Sequence, residues 1–436
     1  MSSQRIPSVG RAPRPALFSC LTVAAALALG APSPAQAQLT TPDVQPALPT
    51  ADSDSREVDA FYRARNNAPL WIRGTALRPE AGQVLHLLET AYLDGLNPKR
   101  YKTKSLRSAM EKARSGSPKH LAKAEMQLSR RFADYVQDLR RLEPAAMHYA
   151  EAGLAPTVPT KTAILRAAAA SSSLSDYLGG SGWMHPIYGE LRQALGQVPW
   201  ESRQPELLRV NLARARALPA YGRHVLVDTA SARLWMYENG RVVDSMKVIV
   251  GQDSKQTPMM AGRIRFATVQ PYWNVPPDLV HERIAPNVLD MGLGYLKDRG
   301  YQVLSDWSEE ANVTDPKLVD WKAVAAGYRS VRVRQKPGSG NAMGKVKFMF
   351  PNKLGIYLHD TPERELFREA DRHFSAGCVR VEDAGRFAKW LFGKPLDMRS
   401  RTPEKHVRIH TPVPVYISYF TAFPEKSGIA FRSDPY

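Results

Sequence analysis

The hydrophobic repeat of this chain changes once, near Pro219, and that change limits its fold more than any other feature. Ahead of it, apolar residues recur every three or four positions. Val84, Leu85 and Leu88, and then Met126, Leu128, Phe132, Tyr135 and Leu139, have the spacing of one helix face. Beyond it they alternate, over 225–228, 233–237 and 242–250, and again over 263–269, 346–350, 355–359 and 413–420, which predicts half-buried strands. Asn239-Gly240 between the second and third is the pair favoured in a type I′ hairpin turn, where both residues take positive φ. The class is therefore α+β: a helical domain over 56–218, then a β-rich domain over 219–422 and a tail over 423–436. Alternation fades between 287 and 345, a stretch that holds Tyr295, Tyr301, Trp307, Trp321 and Tyr328. That is too long for a bare loop, so an inserted cap is expected there. Residues 38–55 are rich in Pro, Thr, Ser and Asp and read as a linker.

Residues 1–37 have the form of an export signal. Arg5, Arg11 and Arg14 precede an apolar run over 16–29, and Ala35-Gln36-Ala37 fits a cleavage site. The run is shorter than the roughly 20 residues of a membrane-spanning helix, so the expected product is exported, periplasmic and soluble once cleaved, with an uncleaved anchor as the alternative. The leader carries three of the +18 net charges and one of the two cysteines, which leaves +15 and a single thiol, Cys378. A positive surface favours anionic partners, and export makes wall polymers or acidic lipid better candidates than nucleic acid. In an oxidising compartment thiols normally pair, so a lone one is either buried and inert or kept for its reactivity. No CxxC or HExxH spacing is present to suggest a structural or catalytic zinc.

Two segments concentrate the chemistry. In 355–359, alternation puts Ile356 and Leu358 on one face and Tyr357 and His359 on the other. In 375–381, Ser-Ala-Gly-Cys-Val-Arg-Val, Cys378 occupies a glycine turn before a segment of helical spacing. The positive end of such a helix, together with Arg380, would favour the thiolate. The backbone N–H groups of Gly377 and Cys378 could converge on an oxyanion. Attack by a thiol on an amide or ester carbonyl needs a nucleophile, a base and oxyanion donors, and these segments can supply all three. His373 also lies near Cys378, but on a charged segment expected to be a solvated loop.

Leu358-His359-Asp360-Thr361-Pro362 and the 375–381 segment resemble the active-site signature of the YkuD-type L,D-transpeptidases, in particular the large periplasmic YcbB-like subgroup. Segments 270–276, 337–344 and 347–352 support the likeness, which covers about 220–395. Segments 61–71 and 209–219 are similar to the subgroup's helical scaffold domain. The resemblance implies that 219–422 is a catalytic domain, Cys378 the nucleophile, His359 the general base, and the Asp360 backbone carbonyl the group that orients His359. It also implies a supporting or carboxylate-binding role for Arg380, and substrate-pocket roles for Tyr357, Trp273, Asn274, Ser375 and Ala376. Ala376 stands where serine or histidine is common in the family. The segment 183–208 leaves no room for the small peptidoglycan-binding domain that the subgroup often inserts.

The implied reaction joins two peptidoglycan stem peptides, a tetrapeptide donor and a second stem as acceptor, through a cysteine thioester, with no metal or organic cofactor. Carbapenems are implied as acylating inhibitors. Hydrolysis at the same centre, or a catalytically silent wall-binding scaffold, are the alternatives.

Overall fold

The computed structural model describes residues 51–308 and 310–436. The expected leader lies outside them, as does most of the expected linker. The linker's last residues belong instead to helix α1, Ala51–Arg63. Val58, Phe61 and Tyr62 are buried one turn apart, and docking that face draws the preceding residues into the helix.

The helical domain continues with α2 (Pro79–Glu89), α3 (Thr103–Ala113), α4 (Pro118–Arg141), α5 (Lys161–Ala170), α6 (Leu174–Gly179), α7 (Pro186–Leu195) and α8 (Gln204–Arg216). The long α4 is the hub. Its buried Leu128, Phe132, Tyr135 and Leu139 pack beside Trp71 and Trp183. Inside this hub, Glu125 accepts the Tyr62 hydroxyl at 2.6 Å and the N–H groups of Leu70 and Trp71, so the carboxylate holds the α1–α2 connection onto α4.

The domain also supplies a strand that helical periodicity could not forecast, β1 (His148–Tyr149), which pairs in parallel with a strand of the second domain. That domain comprises β2 (His224–Asp228), β3 (Arg233–Glu238), β4 (Arg241–Gly251), β5 (Met260–Val269), β6 (Val346–Met349), β7 (Leu358–His359), β8 (His373–Ser375), β9 (Val379–Val381) and β10 (Lys405–Ser418). The pairings run β6-β7-β9-β4-β3-β2-β10-β5, and β5 pairs again with β6, so the sheet closes on itself. The β3–β4 turn has φ of 50° at Asn239 and 79° at Gly240, as a type I′ turn requires.

Inside the closed sheet lie Val225, Val227, Leu234, Met236, Val415 and Ile417. The outward-facing Leu226, Tyr237 and Tyr416 join the core of the helical domain. All five residues of β2 are therefore buried, because the helices cover the face that simple alternation leaves to solvent. His185, which caps α7, meets His224 across this junction with 3.2 Å between their Nε2 atoms. Burial lowers the pKa of both, that of His224 to about 4.

The cap starts earlier and ends earlier than 287–345. Trp273 and Asn274 pair with Gln335 and Arg334, and Val275, Leu279, Ile284, Val303, Trp321 and Val333 form a separate small core. Its helices span three to seven residues, too short for a period to register in sequence. Nor is 423–436 a loose tail. Ala422–Glu425 and Gly428–Phe431 form a hairpin, Phe423 stacks on Trp235, and Asp434 pairs with Arg214 of α8 at 3.1 Å.

The loop that returns from the cap to β6 is fixed by Asn341, whose side-chain amide donates to the Pro271 and Lys336 carbonyls. It ends at Gly344, with φ of 58°. A Cβ there would lie 2.4 Å from Asp360 Oδ2. Gly344→Ala is expected to destabilise the protein by about 2–4 kcal/mol, read as a lower urea midpoint with an unchanged m-value; an unaltered midpoint would contradict the close approach.

Candidate active site

The two chemistry-bearing segments are adjacent parallel strands. Leu358 of β7 faces Val379 of β9, His359 faces Arg380, and the Val379 N–H donates to the Tyr357 carbonyl at 3.1 Å. This register puts Cys378, just ahead of β9, beside Tyr357. Leu358 and Ile356 point into the core of the closed sheet. The opposite face carries Tyr357 and His359, whose ring centroids are 5.8 Å apart.

His359 is buried, and its Nδ1 bonds to the Asp360 carbonyl oxygen at 2.6 Å. A carbonyl can only accept, so Nδ1 carries the proton and Nε2 is the bare nitrogen. The Asp360 carboxylate is occupied elsewhere. It accepts the Lys345 N–H at 2.8 Å and forms an ion pair with Arg364.

The nucleophile's turn is internally bonded. Ser375 Oγ donates to the Cys378 carbonyl at 2.6 Å and accepts the Gly377 N–H at 3.1 Å. This overturns two expectations. Ser375 is buried and builds the turn rather than facing a substrate, and the Gly377 N–H is already spent. The Cys378 N–H is the backbone donor left at the turn. Gly377 has φ of 108°, a conformation only glycine adopts easily. Ala376 is exposed beside it.

Expectation also fails on the thiol's charge. The helix after Cys378 starts at Ala384, capped by Asp383, and β9 stands between them in the chain, so that helix does not begin at the turn that holds the sulfur. Burial pushes the Cys378 thiol up to about 11, against hydrogen bonds from the Tyr357 backbone and hydroxyl and the charge of Arg380. Burial also pushes His359 down to about 3, aided by Arg380 and Lys347. Both shifts favour the neutral forms at rest. Alkylation of Cys378 by iodoacetamide is therefore expected to rise about tenfold per pH unit from pH 7 to pH 9; a plateau by pH 8 would mean a thiolate held at rest.

Arg380 pairs with Glu363, while its Nε is buried without a partner. Trp273 and Asn274 belong to the cap sheet, where the Trp273 ring lies 6.4 Å from that of Tyr301. His373 is not on a loop but in β8, paired with Val250. Its Nδ1 meets Asp371 Oδ1 at 2.5 Å and its Nε2 meets the Thr229 carbonyl at 3.1 Å, so both nitrogens are engaged away from Cys378.

Sequence reasoning missed Thr257 and Tyr436. Thr257 Oγ1 donates to the Gly377 carbonyl and accepts the Gly251 N–H, both at 2.8 Å. The Tyr436 hydroxyl donates to the Gly251 carbonyl at 2.9 Å and accepts the Thr257 N–H at 3.2 Å. Together they brace the turn from behind. Thr257-Pro258 after a glycine-led loop was a local signal for the first; nothing local marked the second.

Residues 222–416 match the family model described as the L,D-transpeptidase catalytic domain, YkuD. The chain carries a YkuD-type L,D-transpeptidase domain. Residues 56–195 match the model of a scaffold domain, so the helical half has a family of its own. A Haemophilus influenzae protein, provisionally named an L,D-transpeptidase, is 28% identical over 390 residues, covering 86% of this chain and 76% of its own. Among solved structures, an L,D-transpeptidase in complex with imipenem is 10% identical over 45% of this chain and 58% of its own, at a TM-score of 0.23. An L,D-transpeptidase from Mycobacterium smegmatis is 13% identical over 45% and 59%, at 0.22. This chain thus spans less than two thirds of those two solved proteins. The YkuD match contains His359, Cys378 and Arg380, and the scaffold match contains α2 through α7.

Proposed function

We propose that this protein is an exported peptidoglycan L,D-transpeptidase that links one diaminopimelate residue to another through a thioester on Cys378. The observation that carries the reading is the pairing of β7 with β9, which seats an oriented imidazole with a bare Nε2 in the strand beside the sole thiol among the described residues.

The Cys378 sulfur attacks the carbonyl at the L-centre of diaminopimelate in a tetrapeptide stem, and its proton passes to His359 Nε2. In this reading the Cys378 N–H and the Tyr357 hydroxyl donate to the oxyanion. As the intermediate collapses, the C–N bond breaks and His359 returns the proton to the departing D-alanine amine. The amine of a second stem then attacks the thioester, loses its proton to His359, and expels the sulfur, which is reprotonated. Because the resting pair is neutral, charge develops only as the carbonyl is attacked. In this reading Arg380 supports the site or a substrate carboxylate, and the cap keeps water from the thioester. The same chemistry opens a carbapenem ring, which makes that class an acylating inhibitor. The leader-like first 37 residues support a periplasmic location, and no helix among the described residues is long and apolar enough to cross a membrane.

The test is incubation of the purified protein with disaccharide-tetrapeptide, followed by mass analysis. Free D-alanine together with a cross-linked dimer is the expected product. D-Alanine with tripeptide and no dimer would reassign the enzyme to hydrolysis.

A further inference from the structure

The cap is joined to the catalytic domain by few ties. Its core of Val275, Leu279, Ile284, Val303, Trp321 and Val333 is its own, and its four strands pair with one another and not with the closed sheet. Two legs connect it to that sheet. Glu404 pins the outgoing leg: it accepts the Tyr272 N–H at 2.5 Å and donates its own N–H to the Gln270 carbonyl at 2.9 Å. Asn341 pins the return leg. Gln270 and Glu404 both have left-handed φ, of 48° and 52°, and a hollow of about 430 Å³ lies where the legs face Ser400, Arg401 and Pro403. A self-contained body on two legs, with space at their base, can turn about them.

Beyond the legs, one side chain reaches the cap. Lys255 Nζ pairs with Asp278 and with Glu282, the latter at 2.8 Å. Among the described residues no other hydrogen bond or ion pair joins 275–334 to residues outside 270–345. Asp278 and Glu282 stand on helical turns that run from 277 to 291, with a π turn over Val280–Ile284, an arrangement rare in helices and frequent at functional sites. The Lys255 side chain is 16% exposed. Burial would lower its pKa, but the two carboxylates raise it instead, so the ammonium stays charged between them.

Lys255 belongs to the loop that braces the nucleophile. In that loop the Gln252 N–H donates to the Ser375 carbonyl at 3.0 Å, and Thr257 Oγ1 holds the Gly377 carbonyl. A Cβ on Gly377 would lie 3.5 Å from the Gln256 carbonyl oxygen and 3.8 Å from that of Lys255. We infer that Lys255 is a positioning residue for acyl transfer: its ion pairs clasp the cap to the loop against the Cys378 turn, closed while the thioester stands and open for stems to enter and leave. The passage of stems rests on the transpeptidase reading; the clasp does not.

The test compares Lys255→Met with the double variant Asp278→Asn/Glu282→Gln, which breaks the clasp from the cap's side. Both are expected to alkylate Cys378 with iodoacetamide about fivefold faster than wild type at pH 8, and to shorten the lifetime of the carbapenem thioester about tenfold as water reaches it. Both remove one and the same contact, so combining them should give no further gain. Lys255→Arg, which keeps the ion pairs, should stay within about twofold of wild type. An ion pair whose carboxylates are this exposed adds little to stability, so the urea midpoint should barely move, whereas a merely structural role would lower it and leave both rates alone. Wild-type alkylation and thioester lifetime in either variant, or additive gains in the combined one, would overturn the clasp. A wild type that takes up no carbapenem would remove the transpeptidase reading, and the alkylation rates would still decide the clasp.

Discussion

Cys378→Ala takes up no carbapenem, whereas the wild type gains the mass of one intact molecule. The sulfur attacks the lactam carbonyl, the ring C–N bond opens, and the ring nitrogen takes the proton, so nothing is lost and the mass added is that of the whole inhibitor. Cys378 is the sole cysteine among the described residues, and it lies directly ahead of the strand that pairs with the one bearing His359. Cross-linking should fall below detection in the same variant, a loss of at least about a thousandfold. Intact-mass spectrometry and dimer assay read both. An adduct persisting on Cys378→Ala would assign the chemistry to another residue, and a folded wild type that takes up no inhibitor would remove the acyl-enzyme from the proposed function.

His359→Ala is expected to lower the single-turnover acylation rate by about a thousandfold, in line with loss of a general base, while His373→Ala stays within about threefold of wild type. The contrast follows from tautomer and partner. His359 gives its Nδ1 proton to the Asp360 carbonyl and keeps Nε2 bare, whereas His373 has both nitrogens occupied, by Asp371 and by the Thr229 carbonyl. Because burial lowers His359 to about 3, wild-type acylation should show no acid limb between pH 7 and pH 5. Stopped-flow acylation across that range checks it. A tenfold fall would mean that the imidazole is charged more easily than its burial implies, and a dead His373→Ala would move the base to β8.

The switch of period near Pro219 sufficed for the two-domain α+β plan, because burying one face of a helix or strand leaves its repeat in the sequence. The shared face of Tyr357 and His359 and the turn at Cys378 were legible for a related reason: alternation fixes which face a strand residue takes, and the glycine ahead of Cys378 marks a turn. The cap's limits were not legible, since its helices are shorter than two turns and Trp273-Asn274 acquires its strand only by pairing with residues 334–335 far along the chain. Nor was β1 of the scaffold, whose two residues are a strand only because β6 pairs with 266–269 of β5 and leaves Met260 and Ala261 free on that side.

Charge and hydrogen-bond state at the site were decided by tertiary structure alone. Sequence supplied a cysteine, an arginine and a following helix, and together these suggested a thiolate. Folding inserted β9 between the thiol and the helix and left Cys378 half-buried, where desolvation raises the thiol against the lowering effect of Arg380. In the same way Ser375 read as a substrate contact and became the internal brace that takes the Gly377 N–H. Identity and spacing are local and survive in the sequence; dielectric surroundings and the partner of each N–H depend on residues far away in the chain, such as Thr257 and Tyr436, that only the closed sheet brings to the turn.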